Sequence, residues 1–448
     1  MNRFLSNIKN RLRNSQSDYA QPGLFQYRRE NIGESSKIHL RVDSDGSGLL
    51  IVNANRVMHL NPTAAFMARL FLENTSTETS IHLIKSRYRT TLDEVNSDYI
   101  QFKDQIEELI RPDGACPIHD LNLEINPPFH VKPTAPYRMD LALTYRCNND
   151  CPHCYNARPR NFMELDSQEW RQIISKLWEI GIPHIVFTGG EPTLRGDLCE
   201  LISHAEKIGQ ISGLNTNGRR LQDKAYVRDL VNAGLDHVQI TLESHHAAIH
   251  DQMVASRGAW NQTVAGIKNA LDSPLYVMTN TTLLQPNRED LADTINFLAK
   301  LGVPTVGMNA LIYSGKGKSV HTGIDERELQ PFLETARSLT QKNNQKLIWY
   351  TPTQYCNFDP VQMELGVKGC TAARYNMCIE PDGNVLPCQS YYKTLGNLLF
   401  DEWDSIWNHE LAVTLRERTN LPDKCYQCAL LSECGGGCPL YHQHLKNN

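Results

Sequence analysis

The sequence predicts an α/β protein built on a partial (β/α)6 barrel, with a small domain before it and a Cys-rich domain after it. Three observations carry that expectation. From Asp140 onward an apolar strand pattern followed by an amphipathic helix pattern recurs six times. Alternating βα units imply a parallel sheet with ligand chemistry at the carboxyl ends of its strands. Six prolines between Pro112 and Pro136 break helix and central strand alike and set off a front module. Seven of the 13 cysteines fall from Cys370 onward, where long periodic helices give out.

Residues 1–36 are polar and read as a flexible tail; their opening, MNRFLSNIKNRLRN, has no apolar core long enough for a secretory signal. Three β-rich runs follow, Ile38–Val42, Leu49–Asn53 and Arg56–Leu60, separated by Asp-Gly and Asn-Ala turns. Helical patterns come next at Pro62–Leu72, Thr79–Tyr88 and Leu92–Ile110, the last with Val95, Tyr99, Phe102, Ile106 and Ile110 on one stripe. The expected domains are therefore a three-strand, three-helix module over 37–112, a Pro-rich linker over 113–139, the barrel over 140–345 and the Cys-rich domain over 346–448. The barrel strands are expected at Asp140–Thr144, His184–Thr188, Gly213–Thr216, His237–Leu242, Leu275–Thr281 and Thr305–Asn309. The first helix between them is marked by the capping pair Asp166 and Glu169 and by the stripe Trp170, Ile173, Ile174, Leu177, Trp178.

Composition excludes several classes. Forty-five Lys+Arg against 50 Asp+Glu give a net charge of -5, and 40% hydrophobic residues exclude a disordered chain; nucleic acid is not among the expected partners. No run reaches the ~18 apolar residues of a membrane span. The cysteines are too sparse overall for a disulfide scaffold and too clustered to be incidental, so metal-bound thiolates in a reducing cytoplasm are expected.

Cys147, Cys151 and Cys154 stand as CNNDCPHCY directly after the first barrel strand. Three thiolates on one loop can hold three corners of a cubane iron–sulfur cluster and leave the fourth iron open. Zinc structural sites want four closed ligands, and His153 stands alone. The triplet resembles that of the radical S-adenosylmethionine (radical SAM) superfamily, which implies a TIM-like barrel, a 4Fe-4S cluster and S-adenosyl-L-methionine as cofactor. Further residues at successive strand ends resemble that family. They are Gly189, Gly190, Glu191 and Pro192 of its GGEP motif, Asn215, Thr216 and Asn217 of its ribose-facing segment, and Thr241, Glu243 and Ser244 after the fourth strand. Tyr155 resembles its adenine-contacting aromatic. The resemblance implies that these residues bind the cofactor and that a 5′-deoxyadenosyl radical abstracts hydrogen from substrate.

In the tail, Cys370, Cys378, Cys388, Cys425, Cys428, Cys434 and Cys438 follow the spacing CTAARYNMCIEPDGNVLPC and CYQCALLSECGGGC, which resembles the SPASM extension of peptide-modifying radical SAM enzymes. The resemblance implies one or two auxiliary iron–sulfur clusters. Cys370, Cys388 and Cys438, with Cys378 as fourth ligand, would hold the first; Cys425, Cys428 and Cys434 would hold the second. The family pattern has a further cysteine downstream, and PLYHQHLKNN after Cys438 holds none. His442, His444, Asp423, Cys356, a substrate or nothing remain open as the fourth ligand. Cys116 and Cys199 are unassigned, the latter on a barrel helix stripe.

The front module resembles PqqD-like leader-recognition domains, small winged-helix units that capture a peptide as an added strand; Leu49–Asn53 and Arg56–Leu60 are the expected edge. Together these resemblances imply a cytoplasmic maturase of a ribosomally synthesised precursor peptide. The implied partners are that precursor, a flavodoxin or ferredoxin as electron donor and a small accessory peptide-binding protein, with no membrane. The CNNDCPHCYNARPR segment resembles maturases of precursors with nitrile-hydratase-type leaders, which implies peptide splicing to an α-keto-β-amino residue. Thioether or C–C (cyclophane) crosslinking, epimerisation and a sulfatase-type maturase are the alternatives.

Overall fold

A computed structural model describes residues 21–447 apart from 32–33, 54–55, 89–90 and 111–132, and the chain divides into two compact units, Met1–Asn126 and Pro127–Asn448. Cys116, residues 1–20 of the expected tail and most of the expected linker lie outside the described residues.

In the first unit, strands β1 (Gly23–Asn31), β2 (Glu34–Val42), β3 (Gly48–Val52) and β4 (Arg56–Leu60) form one antiparallel sheet in chain order. Ile38, Leu40, Leu50 and Val52 are buried against helices α1 (Pro62–Leu72), α2 (Thr77–Arg87) and α3 (Leu92–Ile110). α1 begins where the Asn61 side chain accepts the Ala64 amide at 2.8 Å and Pro62 takes the first turn, where its missing N–H costs nothing. The α3 stripe Val95, Tyr99, Phe102, Ile106 and Ile110 is buried along its length.

Two expectations for this unit need correction. The polar stretch read as a tail through residue 36 contains β1, whose partners are remote in sequence: Arg69 lies over the Phe25 ring at 3.5 Å and Tyr27 donates to Glu73 at 2.9 Å. Local periodicity carries no trace of such contacts. The run Leu49–Asn53 is not an edge, because β3 pairs with β2 on one side and β4 on the other; β1 and β4 are the outer strands.

The second unit contains the six expected parallel strands, β5 (Arg138–Thr144), β6 (His184–Gly189), β7 (Ile211–Thr216), β8 (His237–Thr241), β9 (Tyr276–Thr282) and β10 (Thr305–Asn309). Helices α4 (Ser167–Ile180), α5 (Leu198–Ile208), α6 (Lys224–Ala233), α7 (Ala247–Met253), α8 (Ala259–Leu271) and α9 (Leu291–Leu301) connect them, and α10 (Gln330–Lys342) follows β10. α4 opens on a capping box: Asp166 accepts the Glu169 amide and Glu169 accepts the Asp166 amide, both at 2.9 Å. Its Trp170, Ile173, Ile174 and Leu177 are all fully buried.

The sheet runs further than six strands. β11 (Lys346–Trp349) adds parallel to β10, where the sequence reads as the start of the loop-rich tail; four residues are too few for a period to register. β12 (Asn376–Ile379), from the Cys-rich domain, pairs parallel with β5 on its other flank, and β13 (Asn384–Leu386) and β14 (Gly396–Asn397) continue antiparallel. The full order is β11-β10-β9-β8-β7-β6-β5-β12-β13-β14. Replacing Trp170 by Ala should destabilise this unit by about 3–5 kcal/mol through the cavity it opens, read as a lower midpoint in chemical denaturation; an unchanged midpoint would contradict the packing.

Candidate metal and cofactor site

β5 ends at Thr144, and the loop after it carries Cys147, Cys151 and Cys154. Several elements hold this loop. The Asn149 amide donates to Cys147 Sγ at 3.4 Å. Arg160 donates to the Cys147 carbonyl at 2.8 Å and pairs with Asp150 at 2.7 Å. Arg219, after β7, reaches Asn149 Oδ1 at 2.8 Å, and the Gly317 amide, after β10, donates to the Cys154 carbonyl at 3.2 Å. Arg160 belongs to the cysteine loop itself, whereas Arg219 and Gly317 carry no sequence signal of this role, because each reaches the loop from another strand end.

All three thiols line one cavity of about 880 Å³ at the carboxyl end of the sheet. Burial pushes the Cys147 thiol up to about 11, and Cys151 and Cys154 are raised by the same cause. Neighbouring thiols add to the rise at Cys147 and Cys151. Without metal these groups are therefore thiols at neutral pH, and a cluster must displace their protons on binding. Among the described residues no three His, Cys, Asp or Glu side chains are grouped around a single metal ion. The donor set, three thiols on one loop facing an open cavity, fits an iron–sulfur cluster with one uncommitted iron.

Cofactor-binding residues expected from the sequence divide into two groups. Tyr155, Gly189, Gly190, Asn215, Thr216, Asn217 and Glu243 line the cavity with the thiols, as does Thr241; Glu191, Pro192 and Ser244 do not. Glu191 is fully buried and turned inward. It accepts from the Thr193 amide at 3.1 Å, Thr193 Oγ1 at 2.6 Å, Thr216 Oγ1 at 2.7 Å and the Asn217 amide at 2.8 Å. Burial raises its carboxyl, those donors oppose the rise, and a ring of donors is served by the anionic form. Glu191 thus clamps the loops after β6 and β7 together, and the backbone of Gly189 and Gly190 is what faces the cavity. A Cβ at Gly190 would lie 2.3 Å from the Arg146 carbonyl, so these glycines let the second strand end press against the first. Ser244 donates to Asp290 at 2.7 Å, away from the cavity. Glu243 meets His153 Nε2 at 3.1 Å and accepts the Thr282 amide at 2.8 Å, which gives the histidine inside the cysteine triplet a role that spacing does not reveal.

The Cys-rich region is fastened to this site. Glu380, fully buried just after β12, accepts from Nε and Nη2 of Arg158, each at 2.7 Å, and from the Tyr145 hydroxyl at 3.1 Å. Cys370, Cys388 and Cys438 come together: burial pushes Cys388 up to about 12, and the Cys438 thiol raises both Cys388 and Cys370 further. Cys438 also lines the cavity of the first triplet. Cys378 packs with Ala142, Tyr145 and Leu386 and sits within electrostatic reach of Cys388. Cys425, Cys428 and Cys434 form a separate group, with Cys425 raised by burial and then by Cys434. Cys199 packs against the barrel core.

Residues 141–298 match the Radical SAM superfamily model, and residues 370–429 match SPASM, an iron–sulfur cluster-binding domain. The PqqA peptide cyclase of Bradyrhizobium diazoefficiens is 29% identical over 316 residues, spanning 68% of this chain and 81% of that protein. The Fe-coproporphyrin III synthase of Methanosarcina barkeri is 28% identical over 327 residues, 66% of this chain and 81% of that protein. Streptococcus suis SuiB bound to its precursor peptide SuiA has the same fold, with a TM-score of 0.68 at 16% identity over 93% of this chain and 96% of that one.

Replacing Cys151 by Ala should remove about four irons per chain and abolish S-adenosylmethionine cleavage under dithionite; 5′-deoxyadenosine production at the wild-type level would contradict the ligand assignment. Glu191→Gln puts an N–H₂ among donors. It should weaken cofactor binding and cost about 1–3 kcal/mol of stability, measured by calorimetric titration and denaturation. Weaker binding with stability unchanged would instead indicate a direct cofactor contact.

Proposed function

We propose that this enzyme, a radical S-adenosylmethionine protein with a SPASM extension, matures a ribosomally synthesised precursor peptide. The observation that carries the reading is the single cavity running from Cys147, Cys151 and Cys154 to Cys438, with room for a length of extended peptide beside the cofactor. Relatives named as cyclases of the peptide PqqA, and a fold neighbour solved with a precursor peptide, support a peptide as substrate.

Cys147, Cys151 and Cys154 would hold a 4Fe-4S cluster which, with S-adenosyl-L-methionine, would supply the reductive chemistry that removes a hydrogen atom from substrate. The chain's own task is positioning and exclusion. Gly189 and Gly190 offer bare backbone, and Asn215, Thr216 and Asn217 offer polar groups. Tyr155, hydrogen-bonded to Gln389 at 3.2 Å, supplies a ring tied to the Cys-rich region. A reactive centre of this kind takes hydrogen from whatever C–H is nearest, so selectivity comes from how firmly these walls hold the peptide.

The first unit recognises the leader by adding it as a strand at β1 or β4, the outer strands of its sheet. The second unit modifies the core peptide. The resemblance of CNNDCPHCYNARPR to nitrile-hydratase-leader maturases favours splicing to an α-keto-β-amino residue. The cyclase relatives favour the second reading, a C–C crosslink. Co-expression with the precursor encoded beside the gene separates them: splicing removes a tyramine-sized mass, crosslinking removes two hydrogens, and a peptide of unchanged mass and stereochemistry would contradict the maturase reading. Deleting residues 1–112 should weaken precursor binding at least about tenfold, a coupling of ~1.4 kcal/mol, while cofactor cleavage without peptide persists. Equal binding of precursor by the truncated and intact enzymes would remove the leader-recognition role.

A further inference from the structure

The loop that follows β11 lies against the second group of tail thiols. Trp349, buried at the end of β11, donates from Nε1 to Thr353 Oγ1 at 3.0 Å and fixes where the loop starts. The Thr353 carbonyl lies 3.6 Å from Cys434 Sγ, and the Tyr355 amide donates to the same sulfur at 3.4 Å. Glu326 braces the turn from the opposite side, accepting the Gln354 amide at 3.2 Å and the Asn357 side chain. Gly437, at φ +79, is packed so closely that a Cβ there would sit 2.7 Å from Gln354 Cγ. Gly437, the last glycine of CGGGC, is thus the one that lets the turn seat.

The residue this braced turn presents is Cys356. Its Sγ lies 3.8 Å from Nζ of Lys424, the neighbour of Cys425, and its charge is felt at both Cys425 and Cys434. The histidines nearby are otherwise engaged: His442 Nε2 meets the Gly436 carbonyl and His444 is stacked on Tyr313.

We propose that Cys356 is the fourth thiolate of the second auxiliary site, completing with Cys425, Cys428 and Cys434 a four-cysteine seat for an iron–sulfur cluster. The ligand comes from the loop that leaves the barrel sheet, far ahead of the other three in sequence, so the cluster staples the end of β11 to the Cys-rich extension. Four thiolates leave no iron open, which makes this cluster a structural and electron-carrying one and not a place where substrate ligates. Lys424 supplies a cation beside an assembly that carries net negative charge. The proposal rests on the SPASM reading of the tail.

The test is thiol footprinting of the full-length enzyme. Anaerobically reconstituted protein and chelator-treated protein are pulsed with iodoacetamide, and alkylation of each cysteine is read by peptide mass spectrometry. Cys356 is exposed, so it should be alkylated in the stripped protein and lose that alkylation on loading together with Cys425, Cys428 and Cys434. Cys356→Ser, at an exposed position that the core does not need, should lower iron and sulfide as much as Cys425→Ser does, whereas Cys199→Ser leaves both unchanged. Alkylation of Cys356 in loaded enzyme while the other three stay protected would overturn the proposal, as would full iron content in Cys356→Ser or zinc in place of iron. If all four are alkylated while Cys147, Cys151 and Cys154 are protected, the proposal falls and the barrel site stands. If the barrel triplet is alkylated as well, the radical SAM reading itself fails.

Discussion

Strand β5 is paired on both flanks, with β6 on one side and β12 on the other, and the rest of the site depends on that double pairing. The loop that bears Cys147, Cys151 and Cys154 leaves the carboxyl end of β5. The Cys-rich extension runs alongside the same strand in parallel, with Cys378 opposite Asp140. Glu380, just past β12, then grips Arg158, just past the triplet. Glu380 is fully buried and Arg158 part-exposed, so removing the arginine leaves a buried carboxylate without its countercharge. The loop that bears the cysteine triplet and the Cys-rich extension are therefore both referred to one strand, β5.

Around that element the polar groups are arranged to hold loops and not merely to fill space. Glu191 spends its carboxylate on four donors from two strand-end loops, Glu243 ties His153 to the start of the β9 loop, and Arg219 spans from the β7 loop to the cysteine loop. Each fixes backbone whose exposed side faces the cavity. Placement of this kind is what a site that must restrain a highly reactive centre requires, since a small displacement of substrate exposes a different C–H bond. The buried thiols contribute a chemical condition of their own: they are poor metal ligands until deprotonated, so loading is coupled to proton release and is favoured as pH rises.

What could be read from the sequence was what lies close together in it. CNNDCPHCY places three thiolates within eight residues, and the strand–helix alternation after Asp140 repeats locally, so both were legible. The contacts that join distant segments were not. β1 escapes because Phe25 and Tyr27 find their partners on α1 and at Glu73, the residue that caps its end; β11 and β12 escape because four residues cannot display a period. Glu191 is present in its motif, yet its inward turn depends on Thr216 and Asn217 from the next strand end. The sequence left Cys356 as one of several open candidates for a fourth ligand, and it is the seating of its turn on Cys434 and Gly437 that singles it out.

The central claim is that this cavity brings a peptide C–H bond to the cofactor. It is tested most directly by following one hydrogen atom: the precursor peptide is made with fully deuterated amino acids, turned over by the intact enzyme, and the 5′-deoxyadenosine produced is weighed by mass spectrometry. 5′-Deoxyadenosine should gain deuterium from the peptide, one atom for each abstraction, in step with peptide modification. Unlabelled 5′-deoxyadenosine, recovered while the deuterated peptide is being modified, would contradict it.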